Sequence, residues 1–169
     1  MKAISLWQPW ASLMAIGAKV IETRSWCPPA ELNGHDLAIH AALHFTREEQ
    51  DLCFEEPFRT VLTEAGLIEP KRHTLPPTQF KLPLGAIVCV VRFDRAMPTE
   101  YITKQTDGPF YLSGREEAFG NYGPQRFGLK TSNLRRLLEP VPCRGFQKIW
   151  NLDDDVAQQV LSQLAAVSR

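Results

Sequence analysis

Apolar and polar positions along this chain recur at two periods, and the switches between them predict its elements. Met1 to Leu6 is short and mostly apolar, a strand candidate, after which Trp10, Leu13 and Met14 recur at helical spacing. Pro9 suits the first turn of that helix, where the N–H it lacks would have no partner. Gly17 suits the left-handed residue that closes a helix. Val20 to Ser25 alternates and carries β-branched residues, so it reads as a strand; Cys27 to Gly34 is a proline-containing turn and Asp36 to Ala42 a further strand. Phe45 to Gly66 reads as a helix with Leu52, Phe58 and Leu62 among its apolar positions. Glu69 to Leu84, with Pro70, Pro76, Pro77 and Pro83, reads as a linker-like loop. The strongest strand is Leu84 to Asp94, whose continuous apolar run predicts burial on both faces. Arg126 to Lys130, Leu134 to Leu138 and Phe146 to Trp150 predict three more strands. Asn151 to Asp155 supplies cap residues and carboxylates that complement a helix N-terminus. The closing helix would carry Val156, Val160, Leu161 and Leu164 on one stripe. This order predicts an α+β fold around a small, strongly curved or closed sheet.

Composition narrows the partners less than charge placement does. The 169 residues fit one domain, which buries roughly 70% of the surface its unfolded chain exposes. Lys plus Arg and Asp plus Glu balance at 19 each, so no overall field marks a polyanionic partner. The charges are segregated, however. Between Gly120 and Trp150 lie Arg126, Lys130, Arg135, Arg136, Arg144 and Lys148 against Glu139 alone; between Thr46 and Glu56 acids dominate. Such separation fits one basic functional face, and equally an ordinary solvated one. Cys27, Cys53, Cys89 and Cys143 show no close pairing, and His35, His44 and His73 pair with nothing that suggests a metal, so no metal or cofactor is expected. The start shows no secretory pattern, which leads to the expectation of a reducing, cytoplasmic compartment. No apolar run approaches the roughly 20 residues of a membrane span.

Candidate chemistry concentrates between Leu6 and Trp26. A helix that stops at a glycine and runs directly into Lys19, Glu22 and Arg24 is poor design for a core and good design for a site. On a strand, Glu22 and Arg24 share one face with Val20. Lys19 is expected in the helix-to-strand turn, from which its amine reaches the same cleft.

The spacing Gly17-x-Lys19-x-x-Glu22-x-Arg24 resembles the signature of the ASCH domain family, within the PUA-like superfamily. SLWQPWASL ahead of it, Ser25-Trp26 behind it, LAIHAA, LGAIVCVV, FGNYGPQRFG and EPVPCRGFQKIWNL agree in order. The resemblance looks closest to the branch that contains the C-terminal domain of activating signal cointegrator 1. It implies a single PUA-like domain over residues 1–169, a small β-barrel with flanking helices, with a helical and proline-rich insertion at about 46–82. It also implies a cleft beside the first helix and binding of RNA or single-stranded DNA. Some family members hydrolyse nucleic acid or N4-acetylcytidine. In the amidohydrolases the residue three after the signature lysine is a threonine nucleophile. Here that residue is Glu22, and a carboxylate does not simply replace an activated hydroxyl. Thr23 would point the other way.

Within such a cleft Lys19 and Arg24 are cationic donors for phosphate or carbonyl oxygen, and arginine binds bidentately. Glu22 suits orienting Lys19, accepting a base amino group, or acting as general base. The blander reading is an ion pair that satisfies a strand edge. Trp7 and Trp26 are candidates for base stacking, while Trp10 has the register of a core residue. Tyr122, Arg126, Arg144 and Lys148 are candidates for further nucleic-acid contacts; Arg135 and Arg136 should split between two faces. His40, in an apolar strand, reads as a hydrogen-bonded core histidine before a catalytic one. The leading expectation is a protein that holds a nucleotide or base of RNA, or of single-stranded DNA, between Lys19, Glu22 and Arg24, with no membrane partner. The alternative is a small hydrolase of RNA or a modified nucleoside, with Lys19 and Glu22 as its catalytic pair.

Overall fold

A computed structural model describes residues 1–70, 78–104 and 107–167; His73, Pro76 and Pro77 lie outside the described residues. Strand β1 (Lys2–Leu6) leads into helix α1 (Trp10–Ala15) and strand β2 (Ile21–Arg24). Gln8 fixes the start of α1 from inside the protein: its Oε1 accepts the Ser12 N–H at 3.1 Å and its Nε2 donates to the Pro83 carbonyl at 2.7 Å. The end of α1 is a Schellman closure. Gly17 takes φ +76°, its N–H donates to the Met14 carbonyl, and the Ala18 N–H donates to the Leu13 carbonyl. That closure turns the chain sharply and puts Lys19 at the entry of β2.

Strand β3 (His35–Ala41) follows, running parallel to β1. Helix α2 (Arg47–Leu52) and helix α3 (Phe58–Glu64) occupy the stretch where periodicity predicts one helix. The break has a physical reason at Pro57, which lacks an N–H and disfavours a helical residue before it. Thr46 and Glu49 close a capping box at the start of α2. Within the expected proline-rich loop, β4 (Ile68–Pro70) and β5 (Thr78–Phe80) pair as a two-stranded antiparallel ribbon. Strand β6 (Ala86–Pro98) extends past Asp94. Two short helices, α4 (Thr99–Ile102) and α5 (Gly114–Ala118), precede β7 (Phe127–Pro142), β8 (Ile149–Asn151) and helix α6 (Asp154–Val167).

The two strands expected at 126–130 and 134–138 are therefore one. Asn133 at φ +46° marks the irregularity between them, where Asn133 and Leu134 both fall opposite Val91. Bulges of this kind bend and twist a long hairpin. The six-stranded sheet runs β2-β7-β6-β3-β1-β8, mixed in direction, and curls into a half-barrel flanked by helices, an α+β arrangement. Pro98 pairs with Phe127, so the chain between β6 and β7 leaves and rejoins the sheet at adjacent residues. Thr99 ties that neck: its N–H donates to the Arg126 carbonyl and its hydroxyl to the Gly123 carbonyl at 2.7 Å.

Four apolar clusters hold the described residues together, three of them around the sheet and α1 and the fourth around Ile21, Ile102 and Phe110. Inside the half-barrel, Ile4, Leu6, Ile39, Val91, Phe93 and Leu129 pack against Met14 of α1. On the other face Ala3, Ala38 and Val90 meet Val156, Val160 and Leu164 of α6. Leu161 is exposed, so the expected α6 stripe is corrected to Val156, Val160 and Leu164, the spacing that stays on one side of a helix. Behind α1, Leu13 and Phe119 join Phe58, Leu62, Ile68 and Leu82. Helix α1 is thus clamped between two clusters. Among the described residues no helix is long and apolar enough to cross a membrane, and no group of His, Cys, Asp and Glu is placed to hold a metal ion.

Candidate nucleic-acid site

The turn after Gly17 buries Lys19 completely, an unusual place for an ammonium group. Its Nζ donates to the carbonyls of Ile21 at 2.5 Å and Phe119 at 2.9 Å, and lies 3.6 Å from Glu22 Oε2. Burial pushes its pKa below the ordinary lysine value, and the Glu22 and Glu116 carboxylates oppose that fall. Glu22 is shared between two cations, with Arg24 Nε 3.0 Å from Oε1. That N–H has no hydrogen-bond acceptor, so the Arg24–Glu22 contact is a charge contact without alignment. Arg24 Nη2 donates instead to the Ser5 carbonyl of β1 at 2.7 Å.

A second segment, which periodicity did not reveal, braces this strand. Glu116 of α5 accepts the Val20 N–H at 3.0 Å and the Ile21 N–H at 2.9 Å, one on each carboxylate oxygen. The Asn121 N–H donates to Thr23 Oγ1 at 3.0 Å. Arg126 donates through Nε to the Asn121 carbonyl at 3.0 Å and through Nη2 to the Thr23 carbonyl at 3.2 Å. The start of α5 was legible as Ser113-x-x-Glu116, a capping-box pattern, and Ser113 Oγ does accept the Glu116 N–H. The destination of the Glu116 carboxylate, across the fold on β2, was not.

Between β2 and this segment opens a cleft of about 350 Å³, lined by Trp7 and Trp10, by Glu22 and Arg24 of β2, and by Asn121 and Arg126. Lys19 is not among its lining residues. It lies beneath, with its donors on backbone carbonyls and Glu22, so it shapes the cleft by holding Glu22. Trp10 reaches the cleft as well as the core. Trp7 is exposed, its ring lying against His44 at a tilt of 35° with centroids 4.1 Å apart.

The other candidate residues go elsewhere. Trp26 packs against the half-barrel core and does not line the cleft. Tyr122 packs with Ile21, Ile102 and Phe110, its hydroxyl buried without a hydrogen-bond partner. Burial, then Glu116 and Glu22, push that phenol upward. Arg144 lines a separate cavity beyond Trp7, and Lys148 lines neither. Arg135 pairs with Asp36 at 2.5 Å, while Arg136 lines a small pocket with Ser12 and Leu137; neither joins the cleft.

His40 is buried, with Nδ1 3.1 Å from Ser5 Oγ and Nε2 3.2 Å from the Cys143 carbonyl. A carbonyl only accepts, so Nε2 carries the proton, and Nδ1 of the neutral ring accepts from the Ser5 hydroxyl. Burial lowers its pKa against the opposing Cys143 bond.

The family model of the ASCH domain matches residues 4–122. Among solved structures, the ASCH protein from Zymomonas mobilis is similar with a TM-score of 0.52 at 14% identity, over 95% of this chain and 93% of that one. Two mutants of that protein, a tyrosine-to-phenylalanine and a serine-to-alanine change, match with the same TM-score of 0.52 and 14% identity over 95% of this chain and 96% and 94% of theirs. At this identity the likeness speaks for the fold. No curated protein matches. The family match takes in the aromatic helix start, the Gly17 to Arg24 signature and the α5 segment that braces it, and the chain belongs to the ASCH domain family.

Proposed function

We propose that this chain binds single-stranded nucleic acid, RNA foremost, and holds one nucleotide or base in the cleft between β2 and the α5 segment. One observation carries the reading: two tryptophans, Trp7 and Trp10, line the same cleft as two arginines and a carboxylate. Stacking on aromatic rings is how unpaired bases are held, and their edges are read by hydrogen bonds. Arg24 and Arg126 supply donors for phosphate or base carbonyl oxygen. Glu22 accepts from an exocyclic amino group. A cleft of about 350 Å³ lies near the lower end of the about 300–1,000 Å³ typical of ligand sites, which suits one nucleoside. ASCH domains are in general associated with nucleic acid. Within the family we assign the chain to the branch of activating signal cointegrator 1, on its WQPWASL and RGFQKIW segments. The four free thiols support a reducing, cytoplasmic setting.

The second reading is hydrolysis of RNA or of a modified nucleoside such as N4-acetylcytidine. The buried Lys19 amine beside Glu22 favours it, because perturbed pairs gather at reactive sites. Against it, Glu22 stands where amidohydrolase relatives carry threonine, and the Thr23 hydroxyl is engaged by the Asn121 N–H. The test incubates wild type and Arg24→Gln with labelled single-stranded RNA, single-stranded DNA and N4-acetylcytidine, following retention and product. The expected result is salt-sensitive retention of RNA without product, weakened in Arg24→Gln. Product formation would establish the second reading. Absence of retention for all three at low salt would sink both.

A further inference from the structure

We propose that a second nucleotide subsite adjoins the cleft, so that the ligand is a strand of two or more nucleotides rather than a free nucleoside. This rests on the nucleic-acid reading of the cleft and extends it. A larger cavity of about 740 Å³ lies beyond Trp7, lined by Ser5, Trp7, His40, Leu43, Arg144 and Phe146 among others. Trp7 lines both spaces, so the two adjoin at its indole.

The cavity is built to present aromatic rings to a partner. Trp7 and Phe146 are 52% and 49% exposed, a poor use of large apolar groups unless something covers them. Both are braced. Trp7 lies against His44, and Phe146 meets Trp150 edge-on with centroids 5.3 Å apart. Arg144 lies 5.3 Å from the Phe146 ring centre, and among the described residues no carboxylate pairs with it. Nor is there an acid among the described residues that line the cavity. An unpaired guanidinium beside an open ring suits a stacked base with its phosphate, since both ring and cation then find partners.

The floor fixes these groups before any ligand arrives. Trp150 Nε1 donates to Ser5 Oγ at 3.3 Å, and the Ser5 hydroxyl donates to His40 Nδ1. His40 Nε2 donates in turn to the Cys143 carbonyl. Gly145 lies directly on this network: a Cβ there would come 2.3 Å from His40 Cε1 and 2.8 Å from Ser5 Oγ. Arg144 and Phe146 flank that glycine, so their backbone is held against a buried, satisfied chain of donors and acceptors. Ser5 joins the two subsites, its carbonyl holding Arg24 in the cleft while its hydroxyl holds His40 under the cavity.

The test compares the affinity of AMP with that of tetra-adenylate, as RNA and as DNA, for wild type, Phe146→Ala, Arg144→Gln and Arg24→Gln. One additional stacked base predicts about 5- to 150-fold tighter binding of the tetranucleotide. Phe146→Ala and Arg144→Gln should each shrink that ratio, and the ratio is read within each variant. Because Phe146 touches Trp150, Arg144→Gln serves as the variant that keeps the Phe146–Trp150 ring contact. Equal affinity of wild type for the two ligands, with Arg24→Gln weakening both, would overturn the second subsite and leave the cleft reading standing. A length gain unmoved by both cavity variants would overturn it too. No binding of either ligand by wild type at low salt would instead overturn the cleft reading on which it rests.

Discussion

Replacing Lys19 by methionine tests whether the signature lysine is a buried brace for Glu22 and the α5 segment. Methionine is unbranched like lysine, one heavy atom shorter, and carries no charge. In the wild type the amine satisfies the Ile21 and Phe119 carbonyls and neutralises part of Glu22. Removing one partner of a buried ion pair costs about 3–5 kcal/mol. The variant recovers part of this, because the ammonium's own desolvation disappears. We expect a net loss of about 2–4 kcal/mol, or about 1–2 M in urea midpoint for a chain of this size. The pH dependence supplies a second, independent sign. Burial holds the folded pKa of Lys19 below its ordinary value of 10.5. Between those two pKa values the unfolded chain carries more protons, so the wild type gains stability as pH rises through the interval. Methionine cannot titrate, so the gap between the two proteins should widen from pH 7 toward pH 10. Urea melts of both proteins at the two pH values measure it. A variant as stable as wild type at both would mean that the amine faces open solvent, and the bracing argument would fail.

Glu116→Ala strands the Val20 and Ile21 N–H groups and should cost about 2–4 kcal/mol, with Glu116→Gln costing about half because one acceptor remains; urea melts of both variants measure the difference. His40 is held neutral with a lowered pKa. Below about pH 6.5 the unfolded imidazole takes up its proton first, so stability is complete above that pH and falls below it, down to the folded pKa. Urea midpoints at pH 7.5 and 5.5 should therefore drop further in wild type than in His40→Gln. Arg24 and Arg126, each on one phosphate, should together contribute about −1.4 to the log–log salt slope for single-stranded RNA, and Arg126→Gln should reduce the slope by about 0.7. An unchanged slope in that variant would remove Arg126 from the phosphate contacts.

What was legible in the sequence was whatever a periodicity or a special residue writes locally. Gly17 announced the end of α1, and the continuous run from Ala86 to Val91 announced a strand buried on both faces, as found. The alternation that puts Glu22 and Arg24 on one face needs only the strand repeat. The α5 segment was hidden for the converse reason. Helices of four and five residues, Thr99–Ile102 and Gly114–Ala118, are too short to show a repeat. Glu116 looks like any surface carboxylate until the fold carries it to β2. Arg144 and Arg126 belong to one basic stretch, yet the fold sends them to two different spaces that share Trp7. Charge counting along the chain has no access to that separation.

The neck at Pro98 and Phe127 carries a consequence for how such a site diversifies. The described residues between that pair, Glu116 and Asn121 and Arg126 included, belong to an excursion that leaves and rejoins the half-barrel at one rung. The excursion can therefore be lengthened, shortened or rewritten while the strands on either side keep their register. It works as a cassette seated on a constant frame. The frame supplies Glu22 and Arg24; the cassette supplies Asn121 and Arg126. Exchanging the cassette between relatives, with Glu116 retained as its anchor, should move ligand preference without rebuilding the barrel.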